Sequence, residues 1–229
     1  MKSKIFTAIL WLLASSSLYA QNSGVILRGG LNLGNVSVTD NGRVDDSKTL
    51  ASFQVGLIGD VHLASILYLQ PGVIFTGKGT KSQSGTEGSD DWFKATTNPY
   101  YIEVPVNLIL KSPTGPIKFF GGAGPYIAMG VAGKNKVDGA VGGVNFSSEN
   151  SIKWSKDDPT TLNTEEGAGF GIMRRFDYGL NGIVGIEVKP VVISVNYGLG
   201  LAKLQSGTNS SENDNNKNRV LSVMVGIKF

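Results

Sequence analysis

The chain has no cysteine and a single histidine in 229 residues. The first absence removes disulfides, thiolate metal sites and thiol nucleophiles. The second leaves His62 as the only imidazole for acid–base or metal chemistry. Net charge is also low, formally +3, and two of the cations are Lys2 and Lys4 at the extreme N-terminus. The remainder is nearly neutral, which argues against a nucleic-acid partner. No unbroken apolar run reaches the ~18 residues that a membrane helix needs. Glycine, by contrast, is abundant at 31 residues and has no three-residue period. Collagen is excluded, and glycine inside alternating apolar segments points to crowded, curved strands.

The N-terminus reads as a secretory signal peptide. Two lysines precede a short apolar run from Ile5 to Ala14, and small residues lead to Ala20. Cleavage after Ala20 divides the chain into a signal over 1–20 and one domain over 21–229. No cysteine follows the cleavage point, so a lipoprotein is not expected.

Eight segments alternate apolar and polar side chains: 24–35, 51–63, 66–78, 99–111, 117–131, 174–188, 191–203 and 218–229. The last is the clearest. Leu221, Val223, Val225, Ile227 and Phe229 form one row, and Ser222, Met224, Gly226 and Lys228 the other. Successive strand residues point to opposite faces, so each segment has one greasy face. Connections after the second, fourth and sixth segments are short, and the others are long. The expected fold is all-β, an eight-stranded antiparallel transmembrane up-and-down barrel. Strands of about 12 residues tilted near 40° span roughly the 25 Å apolar band of an outer membrane. A soluble lipocalin-like barrel needs the reverse polarity, but here nearly all strand charge lies on one parity. Phe229, an aromatic residue closing the chain, is the expected insertion signal for the barrel-assembly machinery.

The polar parity then fills the interior with Arg28, Asp60, Lys78, Glu103, Lys118, Asp177, Glu187 and Lys228. Buried ions must pair to offset their desolvation. An eight-stranded barrel holds side chains and little more, so no pore is expected. Pro105 cannot donate to a ladder and is expected at a bulge. The long loop over 132–173 has room for strand extensions, expected at Glu166–Ile172.

Four motifs carry a family resemblance: Tyr101-Ile102-Glu103-Val104-Pro105-Val106-Asn107-Leu108, Phe119-Phe120-Gly121-Gly122-Ala123-Gly124-Pro125-Tyr126, Arg175-Phe176-Asp177-Tyr178-Gly179-Leu180, and Ser194-Val195-Asn196-Tyr197-Gly198-Leu199-Gly200-Leu201. In this order they resemble the PorT-like outer-membrane β-barrel family of Bacteroidetes. The resemblance covers nearly all of 21–229 and is weak in the long loops. It implies an eight-stranded outer-membrane barrel, and its named member belongs to the type IX protein-secretion system. That role does not transfer automatically, because the barrel family is much broader than the secretion system.

No catalytic, cofactor or metal site is expected. Gly72–Gly79 nearly matches a phosphate-binding loop, but Gly79 stands where the Mg²⁺-binding Ser/Thr belongs, and the segment alternates as a strand. Asp60 and His62 share a face two residues apart, and a packed polar pair is simpler than an acid–base couple. Asp157-Asp158 and Glu165-Glu166 lack the spaced oxygens of a calcium site. At the outer rim, the apolar rows of the last three segments end in Arg174, Lys203 and Arg219, expected side by side and suited to lipopolysaccharide phosphates. Ordinary solvated boundary residues are the alternative. The expected protein is non-enzymatic, an interaction, structural or assembly component with periplasmic termini. Its expected partners are outer-membrane lipid, lipopolysaccharide and secretion-system subunits. The alternatives are an outer-membrane enzyme acting on lipid A or peptides, and a small channel or uptake accessory.

Overall fold

The structure, a computed structural model, describes residues 23–40, 43–45, 48–113, 115–154, 172–202 and 217–229. The expected signal over 1–20 lies outside them. No helix occurs among the described residues, which form thirteen strands. These are β1 (Gly24–Asp40), β2 (Arg43–Asp45), β3 (Lys48–Ala64), β4 (Leu67–Gly77), β5 (Thr80–Ser84), β6 (Trp92–Lys111) and β7 (Lys118–Val141). They continue with β8 (Val144–Ser151), β9 (Lys153–Trp154), β10 (Ile172–Met173), β11 (Phe176–Val188), β12 (Val191–Gly200) and β13 (Lys217–Lys228).

Eight of them close a ring: β1, β3, β4, β6, β7, β11, β12, β13 and back to β1. Every neighbour in the ring is antiparallel. Closure is made by β1 with β13, from Ile26 opposite Lys228 to Ser37 opposite Lys217. A closed sheet leaves no open edge, which is what a lipid-embedded sheet requires. The short connections after β3, β6 and β11 lie with Ser23 and Phe229 at one end, the turn end. The long connections lie at the other, the loop end.

The two faces have the polarity of a membrane barrel. Outside, apolar side chains stand exposed, among them Leu31 at 66%, Phe119 at 65% and Ile127 at 66%. Inside, Asn32, Asp60, Asn107, Asp177 and Glu187 are buried almost completely. Water would not tolerate so large a continuous apolar surface on a monomer. Aromatic residues band the outside near the loop end: Phe75 stacks on Tyr100 at 5.4 Å, and Phe53 lies 5.8 Å from Tyr100. Phe119 and Phe229 are exposed at the turn end. Such girdles mark the two membrane–water interfaces of an outer-membrane barrel.

The strands run further than hydrophobic alternation indicates. The expected loop over 36–50 contains the end of β1, all of β2 and the start of β3. The expected loop over 79–98 contains β5 and the start of β6, and β7 continues to Val141 before returning as β8. Past the apolar band both faces meet water, so the ladder persists while the hydrophobic period disappears. Gly142 and Gly143 make the two-residue turn between β7 and β8, with φ of 56° and 81°. Two successive left-handed positions suit glycine and match the twist of a tight hairpin. Of the expected extension at Glu166–Ile172, residues 166–171 lie outside the described residues. Ile172 pairs instead with Lys153 in a two-residue parallel bridge.

Pro105 is not at a bulge. The β4–β6 register is the same on either side of it, with Pro71 opposite Val106 and Ile74 opposite Glu103. The flanking pairs hold the alignment although one ladder donor is missing. The register shifts lie elsewhere, between His62 and Ala64 and between Tyr100 and Tyr101.

Candidate functional site: the lumen and the loop-end rim

The lumen holds two lysine cages of the same construction. Toward the loop end, Lys78 Nζ lies 2.8 Å from Glu103 Oε2 and 3.0 Å from Asp177 Oδ2. The same ammonium sits 4.0 Å from the Tyr126 ring centroid and 5.5 Å from that of Tyr101. The Tyr126 hydroxyl and the Asn218 amide both donate to Asp177 Oδ2, at 3.1 and 3.0 Å. The Asn181 amide donates to Glu103 Oε1 at 3.1 Å. Two carboxylates and two aromatic faces thus replace the hydration shell of one buried cation.

Toward the turn end, Lys111 Nζ lies 2.6 Å from Asp60 Oδ2 and 2.8 Å from Glu187 Oε2. It faces the Tyr68 ring at 4.5 Å and the Phe120 ring at 5.8 Å. Lys228 shares both carboxylates, Asp60 and, at 3.4 Å, Glu187. The Gln70 amide donates to Asp60 Oδ1 at 2.9 Å. Two cations therefore balance two anions. Lys111 is absent from the expected interior charges because it looks like the boundary of its strand. Its parity with Glu103 and Asn107 was the available signal. Lys118, expected inside, is only half-buried.

An apolar belt adjoins the turn-end cage. Ile26, Ile58, Tyr68, Ile74, Ile109, Phe120, Ile183 and Val192 form one buried cluster drawn from seven ring strands. At the loop end, Ile152 and Met173 are buried together and Trp154 packs against both them and Tyr101. The Trp154 and Tyr101 rings meet edge to face at 5.7 Å. The lumen is thus stacked with side chains from end to end.

Among the described residues, the interior offers no recognisable nucleophile–base pair. His62 does not meet Asp60, whose oxygens are taken by Lys111, Lys228 and Gln70. The imidazole Nε2 lies 3.1 Å from the Ser65 carbonyl and the ring 4.9 Å from Tyr68. Gly72–Gly77 are strand, and Lys78 is held in its cage, so no phosphate cradle forms.

Of the three expected rim cations, two fall on described residues, and these two are not ladder neighbours. Arg219 stands opposite Leu199, and Leu199 opposite Leu180. Arg174 precedes Leu180 by six residues in the chain and lies outside β11, which begins at Phe176. The stagger between neighbouring strands is invisible when each row is read separately. Arg174 is exposed, whereas Arg219 is half-buried and donates to the Gly200 carbonyl at 2.9 Å. Lys203 lies outside the described residues, as do Asp157-Asp158 and Glu165-Glu166. Phe229 is exposed, and its backbone N–H donates to the Val25 carbonyl at 2.9 Å, so the last residue is part of the ring closure.

Above the band, β5, β6, β7 and β8 continue as a polar platform. All eight residues of β8 are exposed. Lys134 pairs with Glu149 at 2.6 Å across β7 and β8. The Ser147 hydroxyl, donating at 2.7 Å, and then Lys136 at 3.1 Å hold the Asp138 carboxyl below its ordinary range. The hairpin tip is tied to the β5–β6 connection: Gly142 N–H donates to Asp91 Oδ1 and Gly143 N–H to the Asp90 carbonyl, both at 2.9 Å.

The chain is similar to several known proteins. Ail of Yersinia pestis is similar over 90% of this chain and 99% of its own, at 13% identity and a TM-score of 0.39. Neisserial surface protein A is similar over 91% and 100%, at 14% identity and 0.40. OprG from Pseudomonas aeruginosa is similar over 90% and 95%, at 14% identity and 0.45. No curated protein sequence matches the chain. The family model described as outer membrane protein beta-barrel domain matches residues 19–206, and the chain belongs to that family.

Proposed function

We propose that this outer-membrane barrel is a closed, non-enzymatic anchor whose work is done by its loop-end platform, as an interaction or assembly component. The observation that carries this reading is the pairing of an occluded lumen with a strand platform beyond the apolar band. Two charge-compensated cages and an apolar belt suit a rigid plug, not a channel. The platform supplies exposed backbone and polar side chains on a rigid base, the usual setting for recognition. Residues 1–20 act as the export signal, the termini are periplasmic, and Phe229 is read by the barrel-assembly machinery.

The four motifs that resemble the PorT-like family make a secretion accessory the specific form of this role. Partner capture tests it. Cross-linking in native outer membrane, with mass spectrometry, is expected to recover secretion subunits through the platform. Replacing 134–151 by a short turn is expected to abolish that recovery while the barrel still assembles. Capture unchanged by the replacement, or no partner at all, overturns the reading.

Lipopolysaccharide contact remains part of the proposal, with Arg174, Lys203 and Arg219 as its cations. Changing all three to Gln is expected to reduce co-purified lipopolysaccharide, and unchanged retention ends this element.

A further inference from the structure

The outward face of the loop-end platform carries cations where it meets the apolar band. Asn98 stands opposite Lys134 on β7, and the Asn98 amide donates to the Tyr100 hydroxyl at 3.1 Å. Tyr100 stacks on Phe75 outside the barrel, so Lys134 lies on the outward face, one pleat above that aromatic pair. Its side chain is 73% exposed. Across the ladder it faces Ser151. The Ile152 N–H donates to the Gly133 carbonyl at 3.0 Å, which carries the pairing one residue further. Ile152 and Trp154 both pack inward at the barrel mouth. Lys153 between them therefore points outward, and it is exposed. Lys134 and Lys153 are then diagonal neighbours on one face, roughly 7–8 Å apart. Lys153 pairs with Ile172 on β10. Just past Ile172, beyond the buried Met173, Arg174 is exposed.

The acids of this wall begin further out. Glu149 stands opposite Lys136, one pleat beyond Lys134, and Asp138 opposite Ser147 lies one pleat beyond that. Among the described residues of β5 to β10, no carboxylate lies on the outward face in the rows of Lys134, Lys153 and Arg174. Glu149 reaches back to Lys134 at 2.6 Å and leaves that ammonium open to the outside. Beneath the cations the wall is apolar, with Phe176 exposed opposite Met129 and Ile127 exposed below them. From the band outward the wall thus runs apolar, cationic, then mixed. A phosphorylated lipid runs the same way, from acyl chains through phosphate to sugar. Like charges on diagonal neighbours repel one another unless an anion lies between them. Ammonium and guanidinium groups suit a phosphate in that place.

We infer that Lys134, Lys153 and Arg174 form one column that binds a phosphate of lipid A in the outer leaflet, with the acyl chains against Phe176, Met129 and Ile127. This rests on the lipopolysaccharide element of the proposed function and deepens it, because it sets Arg174 beside two lysines of the platform. The contact also holds the base of the β7–β8 hairpin against the membrane surface.

Native mass spectrometry of the full-length barrel in detergent tests it. Lipid A and its dephosphorylated form are the probes, and the heat-dependent mobility shift of a folded barrel is the check on each sample. Wild type is expected to retain lipid A and to release the dephosphorylated form. Lys134→Gln with Lys153→Gln is expected to weaken lipid A binding by about fivefold for each lysine. Lys134→Arg with Lys153→Arg, which keeps both charges, is expected to retain it, as is Lys189→Gln at the turn end. Equal retention of the two lipids by wild type overturns the column, since phosphate is then not what is bound. If the folded Lys134→Gln, Lys153→Gln barrel binds lipid A as wild type does while the Arg174, Lys203 and Arg219 triple change releases it, the column falls and the lipopolysaccharide element stands. If neither change releases lipid A, both fall.

Discussion

Lys78 and Asp177, ninety-nine residues apart in the chain, meet in the lumen with Nζ 3.0 Å from Oδ2. The contact joins the end of β4 to β11 across the inside of the ring. Both side chains are at most 5% exposed, so neither charge has water to fall back on. The pair therefore ties the sheet together at a point where the backbone ladder does not reach.

Removing the cation should be costly. Lys78→Met leaves Glu103 and Asp177 buried without their shared partner, a loss of about 3–5 kcal/mol for a broken buried pair. Urea unfolding in detergent micelles, followed by the mobility shift, measures it. Restoring neutrality with Glu103→Gln and Asp177→Asn in the same chain should recover much of the loss. A single mutant within about 0.5 kcal/mol of wild type, the range of an ordinary surface change, would remove the cage from the account.

The turn-end cage contains its own reserve. Lys228 contacts the same two carboxylates as Lys111. Lys111→Met should therefore destabilise less than Lys78→Met. The pair Lys111→Met with Lys228→Met should cost more than the two singles summed, because only the double change strands both anions. Strict additivity would show that the two lysines act independently.

The outer rows distinguish lipid from water. Val223 is 51% exposed on β13. In a soluble barrel, Val223→Arg is a surface change worth within about 0.5 kcal/mol. In a bilayer it should cost about 2–4 kcal/mol near the midplane. Equilibrium folding into phosphatidylcholine vesicles reads the difference, and a neutral result would contradict the orientation of the sheet.

The platform hairpin should fail separately from the barrel. Gly142→Val with Gly143→Val places β-branched residues at two positive-φ positions, at roughly 1–2 kcal/mol each. Limited proteolysis should cut within 134–151, while the mobility shift of the barrel remains as in wild type. Loss of both together would mean that the hairpin is part of the folding core.

The ring was legible because lipid outside and polar groups inside impose strict alternation, as in Leu221 to Ile227. Where both faces meet water the signal fades, so the continuation of β7 through Lys134, Asn135 and Lys136 looked like loop. The lumen was legible by parity but not by partner. Glu103 and Asp177 read as inward, yet their common lysine depends on the shape of the closed ring. At the rim, Arg174 and Arg219 each end an apolar row, and their relative placement depends on the stagger between β11 and β13, which no single row shows. Arg28 read as one interior charge among eight.

Conductance of the wild-type barrel tests the central claim most directly. The refolded full-length chain, inserted into a planar bilayer and confirmed folded by its mobility shift, should carry no stepwise current, since cages and belt fill the lumen. Sustained, reproducible channels from that same protein would contradict the account and make the barrel a pore.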